Sequence, residues 1–204
     1  VLKAGRYYVP LDPMYPEKTL KHMLADSEAA VILADGITGS MACELAKDRG
    51  IAVVNTGDIP ASTQVGNPED DSGPDDPACI LYTSGSTGLP KGIVHSHRSV
   101  LHHIWSHSRT FNLCENDRQA LLLSYSFAAS VSEIFGALLN GASLSLNYVR
   151  KTGLENLAKW LIEERITAFK LPVSLFRMFL TLMKEGYDFP DLRLVVLGGD
   201  TLFR

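Results

Sequence analysis

Cysteine is scarce in this chain of 204 residues: it contains only Cys43, Cys79 and Cys114, which lie far apart. An odd, scattered set of cysteines does not build the disulfide framework of a small secreted domain. We therefore expect buried thiols in a reducing compartment, and hence a cytoplasmic protein.

Long apolar runs and signal-peptide features are missing as well. The longest apolar stretches, such as Ala29–Ala34 and Ala120–Leu123, fall far short of the roughly 20 residues of a membrane-spanning helix. The chain also opens without the charged start and apolar stretch of a signal peptide. We therefore expect no contact with a membrane. Because the chain lacks an initiator methionine and ends abruptly at Arg204, we also expect a fragment that is truncated at both ends.

Positive charge does not dominate the chain. Nineteen Lys and Arg residues face 23 Asp and Glu residues, which gives a formal net charge of −4. Without a basic field, nucleic acid is not an expected partner. The hydrophobic share of 46% is nevertheless enough for one sizeable core or two small ones.

What the chain does contain is a regular alternation of short apolar segments with helical patterns. This alternation predicts an α/β fold with a mostly parallel sheet layered with helices. The segment Thr56–Pro77 is acidic and rich in Pro, Gly and Ser, which is typical of a linker. We therefore expect a partial first subdomain over residues 1–77 and an α/β subdomain over residues 78–204.

One stretch, Leu81–Gly92 with the sequence LYTSGSTGLPKG, concentrates small and hydroxyl residues between two predicted strands. Its glycines allow a sharp bend, its amides and hydroxyls supply donors, and Lys91 adds a positive charge, so the pattern predicts a phosphate-binding loop. A flexible surface turn is the alternative. The stretch is not a Walker loop, because Lys91 lies three residues past Gly88 and enters a strand rather than a helix.

The decapeptide Thr83–Gly92 resembles the signature of the adenylate-forming (AMP-binding) superfamily, which includes acyl-CoA synthetases, luciferases and the adenylation domains of nonribosomal peptide synthetases. Four further segments resemble that family in the same order, although Arg6-Tyr7 replaces a usual small pair in the first: Leu2–Ser27, His97-Arg98, Ser126–Leu144 and Leu194–Leu202. The resemblance is strongest to the peptide-synthetase adenylation domains. It implies part of the large N-terminal domain of such an enzyme.

The resemblance implies ATP with Mg²⁺ as cosubstrate and a small carboxylic acid as substrate. The acid attacks the α-phosphate, and the acyl group then passes to a thiol of CoA or of phosphopantetheine on a carrier-protein domain. Lys91 and Thr83 would be catalytic. The implied ATP-binding residues are Thr83, Ser84, Gly85, Ser86, Thr87, Gly88 and Lys91 for the phosphates, and Gly198, Gly199 and Asp200 beside adenine.

The implied acyl pocket comprises Phe127, Ala128, Ala129, Ser132, Lys170, Val195 and Leu197. Domains that activate α-amino acids carry Asp where this chain has Ala128, and an unpaired buried ammonium would be costly. We therefore expect a substrate without an α-amine. Lys170 suits a second acidic or keto group on that substrate; equally, its side chain could extend out of the strand end into water.

Several alternatives stay open. The parent protein could be a free-standing acyl- or aryl-CoA ligase, or an inactive binding module of the same fold. His103 and His107 stand four residues apart on a predicted helix, but without further ligands we expect a polar helix surface and no metal site. We expect this piece alone not to catalyse adenylation and to bind nucleotide weakly at best.

Overall fold

The structure is a computed structural model that describes residues 1–60, 66, 68, 71–84, 89–183 and 186–199. The chain divides into two compact units, Val1–Ser99 and Val100–Arg204. The subdomain boundary predicted after Pro77 stays a prediction.

The first unit begins with a short 3-10 helix at Leu2–Ala4, and then alternates helix and strand: α1 (Glu17–Asp26), β1 (Val31–Ala34), α2 (Gly39–Ala46), β2 (Ala52–Asn55) and a 3-10 turn (Thr56–Asp58). Strands β1 and β2 pair in parallel, with Val31 opposite Ala52. Leu20 and Leu24, one turn apart on α1, pack with Ile32 and Leu45 in one hydrophobic cluster. The apolar spacing in α1 therefore forms the helix face that buries this core.

A hairpin completes the first unit. Strands β3 (Pro77–Thr83) and β4 (Lys91–Ser96) pair antiparallel. An isolated parallel bridge joins Tyr8 to Cys79 of β3. Because a tight loop can connect two strands only when they run in opposite directions, this hairpin departs from the parallel pairing found elsewhere in the described sheets.

The second unit holds a four-stranded parallel sheet in the order β6-β5-β7-β8. The connections between its strands are helical, as parallel pairing requires. Helix α3 contains the division between the two units. The elements from α3 onward are α3 (His97–Phe111), β5 (Arg118–Leu121), α4 (Ala128–Leu139), β6 (Ser143–Leu146), α5 (Val149–Thr152), a 3-10 turn (Leu154–Asn156), α6 (Leu157–Glu163), β7 (Ala168–Pro172), α7 (Val173–Leu182) and β8 (Leu194–Gly198).

One face of this sheet carries the larger hydrophobic core. Ala120 of β5 and Phe169 and Leu171 of β7 pack there with residues of α6 and α7, including Leu161 and Phe179. Side chains alternate between the two faces of a strand, so Gln119 and Lys170 point to the opposite face. The predicted α/β fold with a mostly parallel sheet is confirmed.

An ion pair with a buried carboxylate lies where strands β5, β7 and β8 begin. Asp117, 3% exposed, accepts hydrogen bonds from Arg193 Nε at 2.8 Å and Nη2 at 2.5 Å, from Thr167 Oγ1 at 2.6 Å and from the Cys114 amide at 3.0 Å. Burial alone would raise the pKa of Asp117, but these hydrogen bonds outweigh it and lower the pKa to about 2. The carboxylate therefore stabilises the start of the sheet.

The cysteines differ in part from the expectation. All three are free, but only Cys79 is buried; Cys114 is half-buried and Cys43 is exposed. The expectation of a buried thiol is therefore wrong for Cys43, which lies on the solvent-facing side of α2. None of the helices in the described part of the chain has both the length and the apolarity that a membrane crossing requires.

Candidate functional site

The Gly/Ser stretch connects the two strands of the hairpin in the first unit. The register pairs Thr83 with Lys91, so the β ladder of these strands ends on this pair. Thr83, Ser84 and Lys91 are exposed. Gly85, Ser86, Thr87 and Gly88 lie outside the described residues. The strands thus hold the first hydroxyl residue and the lysine of the motif side by side at the base of the loop.

The return from the loop into β4 is attached to α1. His22 Nε2 donates to the carbonyl oxygen of Pro90 at 2.9 Å. Pro90 has no amide hydrogen and a restricted φ, so its carbonyl leaves the loop in a narrow range of directions. This hydrogen bond therefore positions Lys91, the next residue.

Gly92 permits a close approach between the motif and the body of the first unit. A Cβ at this position would lie 3.0 Å from Ile80 Cγ2, 3.1 Å from Tyr82 Cζ and 3.3 Å from Asp26 Oδ2. Tyr82 cannot turn away freely, because its hydroxyl donates to Asp26 Oδ2 at 2.7 Å and lies 3.2 Å from the carbonyl oxygen of Met23. The last glycine of the motif is therefore required for packing beside Lys91.

The resembling pair His97-Arg98 opens α3. Arg98 donates from Nε and Nη2 to the two carboxylate oxygens of Asp75, at 2.8 and 3.0 Å. Both side chains are largely exposed. The contact therefore attaches the end of the acidic segment to the start of α3. Among the described residues no group of three or more His, Cys, Asp or Glu side chains is placed to hold a metal ion.

Four of the predicted pocket residues lie at the start of α4 or directly before it. Phe127 precedes the helix and is 45% exposed, and Ala128 and Ala129 follow it. The Phe127 amide donates to the Ser124 carbonyl oxygen at 3.1 Å, which turns the chain into the helix. Ser132 is fully buried, and its Oγ donates to the Ala129 carbonyl oxygen at 2.7 Å. The structure thus brings these residues together on one helix.

The predicted pocket residues on the sheet do not share one face. Val195 lies opposite Phe169 and Leu197 opposite Leu171, and Val195 packs against the large hydrophobic core. Lys170 lies opposite Val196 and therefore points to the other face. Gly198 ends β8, and Gly199 has a positive φ of 78°. Asp200 lies outside the described residues.

Sequence reasoning missed the buried Glu133, and it placed His107 on the surface of its helix. Glu133 on α4 is 4% exposed, and neither of its carboxylate oxygens has a hydrogen-bond partner among the described residues. His107 on α3 is half-buried, and its Nδ1 likewise has no such partner in the described part of the chain. His107 was expected on a polar helix surface, and that expectation is wrong. Glu133 stands three residues before Gly136 and four before Ala137, so it shares a helix face with these small residues. This spacing is the sequence signal that could have indicated its burial.

The whole chain is similar to proteins that use ATP to activate acids. The family model described as AMP-binding enzyme matches residues 1–203. A linear gramicidin synthase protein from Brevibacillus parabrevis is 38% identical over 203 residues, which is 98% of this chain and 2% of that protein.

Two solved structures share the fold of almost the whole chain. The nonribosomal peptide synthetase FmoA3, in its alpha-methyl-L-serine-AMP bound form, has a TM-score of 0.85 at 28% identity, over 98% of this chain and 22% of that one. The N-terminal subdomain of Klebsiella oxytoca NpsA, in complex with 3-hydroxybenzoyl-AMSN, has a TM-score of 0.78 at 26% identity, over 98% of this chain and 48% of that one.

The fold and the hairpin loop thus define an α/β protein of the adenylate-forming class. The chain belongs to the AMP-binding enzyme family, whose members form acyl-adenylates from ATP, and it corresponds to the N-terminal part of the ligases it matches. It spans 2% of the gramicidin synthase protein and less than half of the NpsA subdomain.

Proposed function

We propose that this chain supplies the ATP-phosphate loop and part of the acyl pocket of an enzyme that activates a carboxylic acid lacking an α-amine. The product would be an acyl-adenylate, and the acyl group would then pass to the thiol of a carrier-protein domain or of CoA. The pairing of Thr83 with Lys91 at the base of the Gly/Ser loop is the observation that carries the proposal.

The chemistry of the loop supports a triphosphate ligand. Thr83 and Ser84 offer hydroxyl donors, and Lys91 offers one exposed cation. The glycines of the motif would let the backbone amides approach the phosphates. Charge on the leaving pyrophosphate has to be neutralised during attack by the carboxylate, and Lys91 is suited to that role. Mg²⁺ would accompany ATP, and Gly198, Gly199 and Asp200 would border the adenine.

The acyl pocket supports a substrate without an α-amine. Ala128 begins α4 and can supply no charge for an ammonium group. The NpsA subdomain, which shares this fold, is bound to a 3-hydroxybenzoyl compound, whose acyl group carries no α-amine. Lys170 would then face a second acidic or keto group of the substrate.

Substrate-dependent ATP–pyrophosphate exchange by the full-length enzyme that contains this chain tests the proposal. We expect exchange with deaminated acids and little with the matching free α-amino acids. Ala128→Asp should shift the preference towards the amino acids by about tenfold or more, because it supplies the missing partner for the ammonium. Ala30→Asp adds the same charge at an exposed position before β1 and should leave the preference unchanged. A wild-type enzyme that strongly prefers a free α-amino acid would contradict the proposal.

A further inference from the structure

Polar side chains are buried on the sheet face that lies opposite the large hydrophobic core. Gln119 and Glu133 are each 4% exposed. Gln119 Nε2, His107 Nδ1 and both Glu133 carboxylate oxygens lack hydrogen-bond partners within the described residues. We call Gln119, Glu133, His107 and Lys170 the buried polar cluster. Unpaired polar atoms of this kind are rare in folded interiors and require a physical explanation.

Four elements contribute to this cluster: strands β5 and β7, helix α4 and, through His107, helix α3. Gln119 of β5 and Lys170 of β7 point to the same side of the sheet, opposite Ala120 and Phe169. Helix α4 covers this side: a Cβ on Gly136 would lie 3.8 Å from Gln119 Nε2. Glu133 stands three residues before Gly136, hence on the same face of the helix.

Lys170 is the charge that faces Glu133. Burial raises the pKa of Glu133 to about 8, and the Lys170 ammonium acts against that rise. Burial lowers the pKa of His107 to about 4, and the charges of Lys170 and His103 add to that effect. His107 is therefore neutral above pH 7, whereas Glu133 changes from protonated to ionised around pH 8.

The neighbouring elements carry few other charged groups, and His103, which acts on His107, is one of them. Strand β6 contains no titratable residue, and His103 on α3 is exposed. Arg118 of β5 donates to the Glu164 carbonyl oxygen at 2.6 Å, at the end of α6 and away from α4. Lys170 belongs to the predicted acyl pocket together with Ala129 and Ser132 of α4, which neighbour Glu133 in the chain.

We propose that Glu133 is a positioning residue for Lys170: its buried carboxyl decides whether the Lys170 ammonium is available to a second acidic group on the substrate. This inference rests on the proposed function. With Glu133 protonated, the ammonium is the uncompensated charge of the cluster and attracts a substrate carboxylate. With Glu133 ionised, the two side chains neutralise each other, and the substrate carboxylate meets no net charge.

The test uses ATP–pyrophosphate exchange by the full-length enzyme at pH 7 and pH 9. A panel of dicarboxylic acids without an α-amine is compared with neutral isosteres, for example 2-oxoglutarate with 5-methyl-2-oxohexanoate. The measured quantity is the ratio of kcat/KM within each pair, which cancels the pH dependence of the shared chemistry. The protonated fraction of Glu133 falls from about 0.9 to about 0.1 over this range, so the preference for the diacid should fall by about tenfold.

Variants separate positioning from structure. Glu133→Gln cannot ionise and should keep the diacid preference at pH 9, whereas Lys170→Met should lose it at both pH values. Glu163→Gln, at an exposed position on α6, should behave like the wild type. If Glu133→Gln does not fold, the test is the pH dependence of the diacid preference: the wild type should lose the preference between pH 7 and pH 9, and Lys170→Met should lack it at both pH values.

Each outcome has one meaning. A wild-type diacid preference that is absent, or that is equal at pH 7 and pH 9, overturns the role of Glu133, and so does a Glu133→Gln enzyme that loses the preference at pH 9. If no acid of either kind is activated, the proposed function itself fails.

Discussion

Gly92→Ala should destabilise the hairpin that carries the candidate phosphate loop. The added methyl group would lie 3.0 to 3.3 Å from Ile80 Cγ2, Tyr82 Cζ and Asp26 Oδ2, so at least one of them must shift by a few tenths of an ångström. Tyr82 resists that shift through its hydrogen bond to Asp26 at 2.7 Å. Overpacking of this kind costs about 1–3 kcal/mol, and we expect a loss in that range.

Urea unfolding followed by circular dichroism measures this loss, and amide hydrogen exchange along β3 and β4 localises it. Gly39→Ala is the matched control, because a Cβ there meets nothing within 4 Å and α2 begins at that residue. In a Tyr82→Phe background the ring is free to move, so Gly92→Ala should cost less than in the wild type. A Gly92→Ala chain as stable as the wild type, to within about 0.5 kcal/mol, would refute the packing argument.

Two further predictions concern Lys91 and Asp117. Lys91→Met in the full-length enzyme should lower pyrophosphate exchange by about 100-fold or more, and it should not change stability because Lys91 is exposed. Lys159→Met, at an exposed position on α6, is the control, and an unchanged exchange rate in Lys91→Met would contradict a role of Lys91 in the reaction. Asp117→Asn should lower the free energy of unfolding by about 2 kcal/mol at pH 7. Tryptophan fluorescence during urea unfolding measures this loss, because Trp160 packs against the large hydrophobic core. Because the folded state lowers the pKa of Asp117 to about 2, the stabilisation by its carboxylate is complete above about pH 4 and is lost as the pH falls towards 2, so the wild type and variant should converge there. Asp191→Asn, which removes an exposed pair with Arg165, should cost less than about 0.5 kcal/mol, and an equal cost for both variants would contradict a buried role for Asp117.

The alternation of strands and helices was visible in the chain because apolar periodicity is a local property. The apolar spacing of Leu20 and Leu24 is typical of a core-facing helix, and α1 buries both residues. Strand β5 does not coincide with the apolar run Ala120–Leu123, because it begins at Arg118 and ends at Leu121. The turn before α4 takes the last residues, because Ser124 accepts the Phe127 amide.

Only part of the candidate site could be predicted from the sequence. The Gly/Ser motif lies in one contiguous segment, so its hydroxyls and Lys91 could be identified from the chain. The packing of Gly92 against Tyr82 could not, since it depends on a residue of the neighbouring strand and on Asp26 of α1, far away in sequence.

By itself, the sequence determined the family, the α/β class and the contiguous loop, because these depend on residue types at short spacing. Only the tertiary structure decided that Lys170 points away from Val195 and towards α4, and that Glu133 is buried without a hydrogen-bond partner among the described residues. The physical reason is that strand register and helix packing set which side chains share a face, and burial then sets the cost of their charge.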